Sequence, residues 1–103
     1  MANSRQVNET PPMLRSGEVA KALNIAPRTL RDWLQKGRIP DVERPEGTHR
    51  RWSIFNVLAA QVAAYGKTEP RLIAEQLRKR GHSPQQAAEW IGDAMDRLTH
   101  KGK

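Results

Sequence analysis

The chain has 103 residues, enough for one small domain and little more. Lys and Arg outnumber Asp and Glu by 18 to 11, a net charge of +7, and 37% of residues are hydrophobic; that is polar for a globular chain but too apolar for a wholly disordered one. The absence of cysteine excludes disulfides, thiolate metal sites and cysteine nucleophiles. No apolar run is long enough to span a membrane, and the first dozen residues lack the apolar core of a signal peptide. The expectation is a cytoplasmic, nucleoid-associated protein with an anionic partner. The excess charge is +4 over residues 1–66 (ten minus six) and +3 over residues 67–103 (eight minus five). Basic residues spread in this way favour nucleic acid over a membrane-surface helix, which needs them on one face.

Residues 1–12 read as a flexible arm ending in Thr10-Pro11-Pro12, with Arg5 as its one basic side chain. From Ser16 the pattern becomes helical. Val19, Ala20 and Leu23 share a face, and Asn24 ends the helix because Asn tolerates the left-handed conformation. A second helix opens at Pro27, suited to a first helical position, after a weak cap at Ala26. Leu30, Trp33 and Leu34 form its apolar stripe, with Trp33 read as core, and Gly37 closes it before Pro40. Two helices joined by Asn24-Ile25-Ala26, with Ile25 plugging the turn, make a helix-turn-helix candidate. The second helix then turns Arg28, Thr29, Arg31, Asp32, Gln35 and Lys36 outward, donor-rich side chains suited to phosphates and base edges.

Residues 41–43 and 50–52 are expected to be the two short strands of a wing, joined by a turn containing Pro45 and Gly47. Arg44, His49, Arg50 and Arg51 make this hairpin basic, and Trp52 is expected to turn inward. Ser53 caps a third helix running to about Tyr65, with Ile54, Val57, Leu58, Gln61, Val62 and Tyr65 on one side and Gly66 at its end.

Residues 14–63 resemble the winged helix-turn-helix domain of the MerR superfamily. The resemblance rests on Gly17-Glu18-Val19-Ala20-Lys21-Ala22-Leu23, on Ile25-Ala26-Pro27-Arg28-Thr29-Leu30-Arg31, on Gly37-Arg38-Ile39-Pro40, and on Thr48-His49-Arg50-Arg51-Trp52. It implies that the second helix enters the DNA major groove through Arg28 and Arg31. It also implies that Arg50 and Arg51 hold the backbone or reach the minor groove. Thr29, Gln35, Lys36, Arg44 and His49 are further DNA-contact candidates. The long dimerisation coiled coil of typical members is missing, as are an effector domain and cysteines, so metal or small-molecule sensing is not implied. The nearer comparison is with small relatives such as phage and plasmid excisionases and prophage regulators of bacteria.

A fourth helix is expected from Thr68 to about Arg80. The string Gly81-His82-Ser83-Pro84 closes it and caps a fifth, with Gln86 completing a capping box and the helix running to about Thr99. Leu72, Leu77, Trp90, Ile91, Met95 and Leu98 line the seam of this C-terminal hairpin. They either pack in cis or carry self-association on DNA or a recombinase or RNA polymerase contact. Arg78-Lys79-Arg80 reads as a solvated helix end that can also reach phosphate. The expected architecture is thus mainly α: an arm (1–12), a winged helix-turn-helix of three helices and a two-stranded wing (13–66), and a two-helix hairpin (67–103).

The sequence contains no phosphate-cradling glycine loop, no ordered Ser/His/Asp set and no metal-spaced histidines. No enzyme activity, cofactor or metal is expected. The expected function is sequence-specific binding of double-stranded DNA in transcription control. The alternatives are an architectural DNA-binding factor (excisionase, small terminase subunit or plasmid-transfer accessory protein) and an antitoxin-like protein adaptor. RNA is disfavoured because aromatic platforms for unstacked bases are missing.

Overall fold

Five helices share one core in the computed structural model, which describes residues 10–44 and 49–100. They are α1 (Ser16–Ala22), α2 (Pro27–Gln35), α3 (Ile54–Tyr65), α4 (Pro70–Lys79) and α5 (Pro84–Thr99). Most of the expected arm (residues 1–9) and the turn of the expected wing (residues 45–48) lie outside the described residues.

Three helices close in the same way. After α1, the N–H of Ile25 reaches back to Ala20 C=O at 2.9 Å and that of Asn24 to Lys21 C=O at 3.0 Å. Arg38 and Gly37 do the same to Trp33 and Leu34 after α2, and His82 and Gly81 to Leu77 and Arg78 after α4. These are Schellman closures, and each needs one residue at positive φ. Asn24 (φ 61°) and Gly37 (φ 72°) supply it on either side of α2, the non-glycine being the type that best tolerates the region.

The C-terminal carbonyls of α1 are all accounted for. Ala20 and Lys21 are taken by the closure just described, Ala22 C=O accepts from Gln61 Nε2 at 3.0 Å, and Leu23 C=O accepts from Tyr65 Oη at 2.7 Å. Helix ends leave such carbonyls without intrahelical partners; here α3 provides them. Gln61 is fully buried. Its amide also donates to Glu69 C=O (3.0 Å) and accepts from Glu69 N–H (2.8 Å). One side chain thus ties the end of α1, the middle of α3 and the approach to α4.

The core runs unbroken from Leu14, Val19, Leu23, Leu30 and Ile39 through Trp52, Val57 and Leu58 to Ile73, Leu77, Trp90 and Ile91. Trp52 is completely buried and its Nε1–H donates to Ser16 Oγ at 3.2 Å. Ile25 and Trp33 pack partly buried against the same cluster. The hairpin α4–α5 packs on α1 and α3. Leu77, Trp90 and Ile91 are buried in the shared core, and Leu72, Met95 and Leu98 lie half-buried against it. The edge of His82 meets the Trp90 ring at 5.0 Å between centroids.

The expected two-stranded wing is corrected. Among the described residues there is no strand, and the one β-bridge pairs Leu14 with Trp52. Residues 41–43 and 50–52 are joined by a single backbone bond, Arg51 N–H to Glu43 C=O at 3.1 Å. The reason lies in where the other groups go. The N–H and C=O of Trp52 both bond Leu14 (3.1 and 2.7 Å), and Val42 N–H turns back to the carboxylate of Asp41 at 2.7 Å. A ladder needs those groups free. One boundary and one cap also differ: α4 begins at Pro70 rather than Thr68, and the expected capping box is not closed, since Gln86 gives its N–H to Ser83 Oγ (3.0 Å) while its side chain turns to Glu89.

Replacing Gln61 by Leu should keep the volume and strand the Ala22 carbonyl and both Glu69 backbone groups. Each buried polar group left unpaired costs about 1–3 kcal/mol, so a loss of at least about 2 kcal/mol is expected from urea denaturation. Tyr65→Phe, which removes one bond at a half-exposed site, should cost about 1 kcal/mol or less.

Candidate nucleic-acid interface

The apolar stripe of α2 faces inward through Leu30 and Leu34, so the opposite side is solvent-facing by necessity. Arg28, Arg31 and Gln35 are exposed there at a helical spacing of three and four residues, and Thr29 is half-buried beside them. Among the described residues neither Arg28 nor Arg31 has an acidic partner within ion-pair distance. Lys36, which caps the C-terminal end, pairs with Asp32 at 3.2 Å across one exposed turn. Such a pair contributes little and is readily exchanged for another anion.

The segment after α2 sorts its cations into two kinds. Arg50 is held by Asp41 through two bonds, Nε to Oδ1 at 2.7 Å and Nη2 to Oδ2 at 3.3 Å. The hydrogen bond from Arg50, opposed by slight burial and helped by Val42 N–H, keeps the Asp41 carboxyl below its ordinary range. Arg50 therefore ties its own segment to the one that carries Asp41, a function that sequence alone does not separate from DNA contact. Arg51, Arg44 and His49 are exposed, and among the described residues neither Arg44 nor Arg51 has an ion-pair partner.

Three further arginines lie beside these residues, and the partners they find are not encoded in the pattern. Arg38 is folded back by the α2 closure so that its guanidinium lies 4.8 Å from the centre of the Trp33 ring, a cation–π contact, while the ring meets Tyr65 edge-on at 6.0 Å. Arg80, read as a solvated helix end, instead clamps α4 to α1. It donates to both Glu18 carboxylate oxygens and to Met13 C=O, each at 2.8 Å. Arg15 precedes α1, and its N–H is held by Glu18 Oε1 at 2.8 Å. Burial pushes the Glu18 carboxyl up, but the bonds from Arg80 and Arg15 outweigh it and the group lies below its ordinary value. The signals that could have found these residues are long-range pairings, which periodicity does not encode.

Arg15, His49, Arg50, Arg51 and Arg80 line a single cleft of about 710 Å³ between residues 12–15 and 49–51. The candidate interface thus comprises two basic surfaces, the outer face of α2 and this cleft. Residues 15–52 match the family model described as MerR family regulatory protein. The comparisons with curated proteins and with solved structures give no match. No described helix is long and apolar enough to cross a membrane.

Both carboxylates with braced guanidiniums have folded values below their unfolded ones. Their contribution to stability is complete above the ordinary carboxylate range and is lost as pH falls through the depressed values. Urea midpoints measured from neutral pH downward should show this acid decline. Glu18→Gln combined with Asp41→Asn should lower the neutral plateau and flatten the decline, and salt should weaken both effects because the groups are partly exposed.

Proposed function

With a MerR-family helix-turn-helix domain as premise, we propose that this protein is a sequence-specific, double-stranded DNA-binding transcription regulator of the bacterial cytoplasm whose activity is binding, with no catalytic step. The observation that carries the reading is the division of α2. Leu30 and Leu34 lock one side into the core, while Arg28 and Arg31 stand exposed on the other without acidic partners among the described residues. A guanidinium presents a planar fork that matches guanine O6 and N7 in the major groove. Gln35 and Thr29 supply shorter-range donors, and Lys36 reaches phosphate. Arg51, Arg44 and His49 hold the backbone beside the groove, with Arg50 bracing them from Asp41.

Gel-shift titration and genome-wide mapping of occupied sites test this together. If about six phosphates are neutralised, log affinity should fall with log salt at a slope of about −5. Arg28→Ala or Arg31→Ala should cost about 1–3 kcal/mol on the specific site and relax its sequence preference. Arg51→Ala should weaken specific and random duplexes alike. Sharp promoter sites with matching expression changes support transcription control. Sites confined to one attachment, packaging or transfer locus favour an architectural role in recombination or DNA transfer instead. Equal losses on specific and random DNA for every α2 variant overturn the assignment of the recognition helix.

A further inference from the structure

The bridge that replaces the wing has a consequence for charge. Leu14 and Trp52 exchange both backbone bonds in antiparallel sense and are both buried. Their neighbours Arg15 and Arg51 are therefore the next opposed pair, and alternation along each segment sends both side chains to the opposite, solvent side. Both are exposed. Directly opposed residues of this kind have Cα atoms roughly 4.5–5.5 Å apart. Like charges so placed repel.

Nothing among the described residues neutralises the two heads by an ion pair. Glu18 binds Arg15 through the backbone N–H and gives both carboxylate oxygens to Arg80. Glu43 meets Arg51 through its carbonyl rather than its carboxylate. The other two guanidiniums of the cleft are already held, Arg50 by Asp41 and Arg80 by Glu18, so they form fixed walls rather than mobile ligands. An opposed guanidinium pair without an ion-pair partner, lining an open cleft, fits an oxyanion that accepts from both forks at once, and beside a DNA-binding surface that oxyanion is a backbone phosphate.

We infer that Arg15 and Arg51 form a shared phosphate seat, distinct from the face of α2, that grips one phosphate of the DNA backbone. This rests on the DNA-binding reading but adds a residue from before α1 to the clamp. It also explains why α4 is tied to this place. Arg80 anchors Met13 C=O and Glu18, and so holds the segment that carries Arg15 against α1. The C-terminal hairpin then serves DNA binding by rigidifying the seat.

The test uses the full chain with Arg15→Gln, Arg51→Gln and the double variant, and Arg28→Gln as reference. Duplex affinity is read across a salt series, and melting temperature is read with inorganic phosphate against chloride at matched ionic strength. A shared phosphate predicts that each single variant weakens binding while the remaining guanidinium keeps most of the log–log slope, and that the double variant makes the slope shallower by about 0.9, the loss of one phosphate contact. Melting temperatures in chloride should be unchanged or raised, since a repulsion is relieved. A phosphate-dependent rise in melting temperature that both single variants abolish would support the seat and show that it also takes free phosphate. Its absence, with the slopes behaving as predicted, would assign the seat to duplex backbone alone. The inference is overturned if Arg15→Gln leaves affinity unchanged while Arg28→Gln weakens binding, or if each single variant makes the slope shallower by about 0.9 and the double variant by about twice that, as two separate phosphates would. If the wild type itself binds no duplex, the DNA-binding reading fails separately. The seat then stands or falls on whether phosphate stabilisation depends on Arg15 and Arg51.

Discussion

The end of α1 is the constraint on which the rest of the molecule depends. A seven-residue helix has more terminal backbone groups than internal ones, so its stability cannot come from its own hydrogen bonds. It comes from α3. Gln61 and Tyr65 take the last two carbonyls, and the left-handed residue Asn24 turns the chain so that Ile25 and Ala20 close the others. The direction in which α2 leaves is set there. Because Gln61 also holds both backbone groups of Glu69, the same side chain fixes where α4 begins. A buried amide with every bond satisfied specifies one arrangement, since any other would strand it.

The same economy governs the arginines. A basic chain that binds nucleic acid must keep some cations free and still fold against their mutual repulsion. Arg80 and Arg50 are consumed as braces by Glu18 and Asp41, and Arg38 is laid over Trp33. Arg28, Arg31, Arg15 and Arg51 are left exposed. The braces stand beside the free cations, so the surface that would meet DNA is held in place before any DNA arrives. Preorganisation of this kind lowers the ordering cost of association. The C-terminal hairpin belongs to that scaffold, because its seam residues are spent on α1 and α3 rather than left open.

Much of this was legible beforehand, and the reasons are local. Pro27, Pro84 and Ser83 mark helix starts, and Asn24, Gly37 and Gly81 mark helix ends, because each chooses a backbone conformation by itself. The stripe of Leu30 and Leu34 dictates which side of α2 is wet, and hence that Arg28 and Arg31 face out. The burial of Trp52 follows from alternation. The wing was misread because alternation says which residues face inward and nothing about which segment pairs with which. Residues 50–52 have a strand pattern, but the backbone of Trp52 is taken by Leu14, far away in the chain.

By itself, then, the sequence determined the five helices, most of their caps, the core face of α2 and α5, the excess of positive charge and the resemblance to a DNA-binding family, since all of these depend on side-chain type and short spacing; it misplaced Val62 and Tyr65, which α3 leaves exposed. Tertiary structure alone decided which arginines are bound and which are free, the pairing of Leu14 with Trp52, the opposition of Arg15 and Arg51 that follows from it, and the in-cis burial of Trp90 and Ile91. Those depend on contacts between residues tens of positions apart, where several partners of equal chemistry compete and only the packed core selects among them.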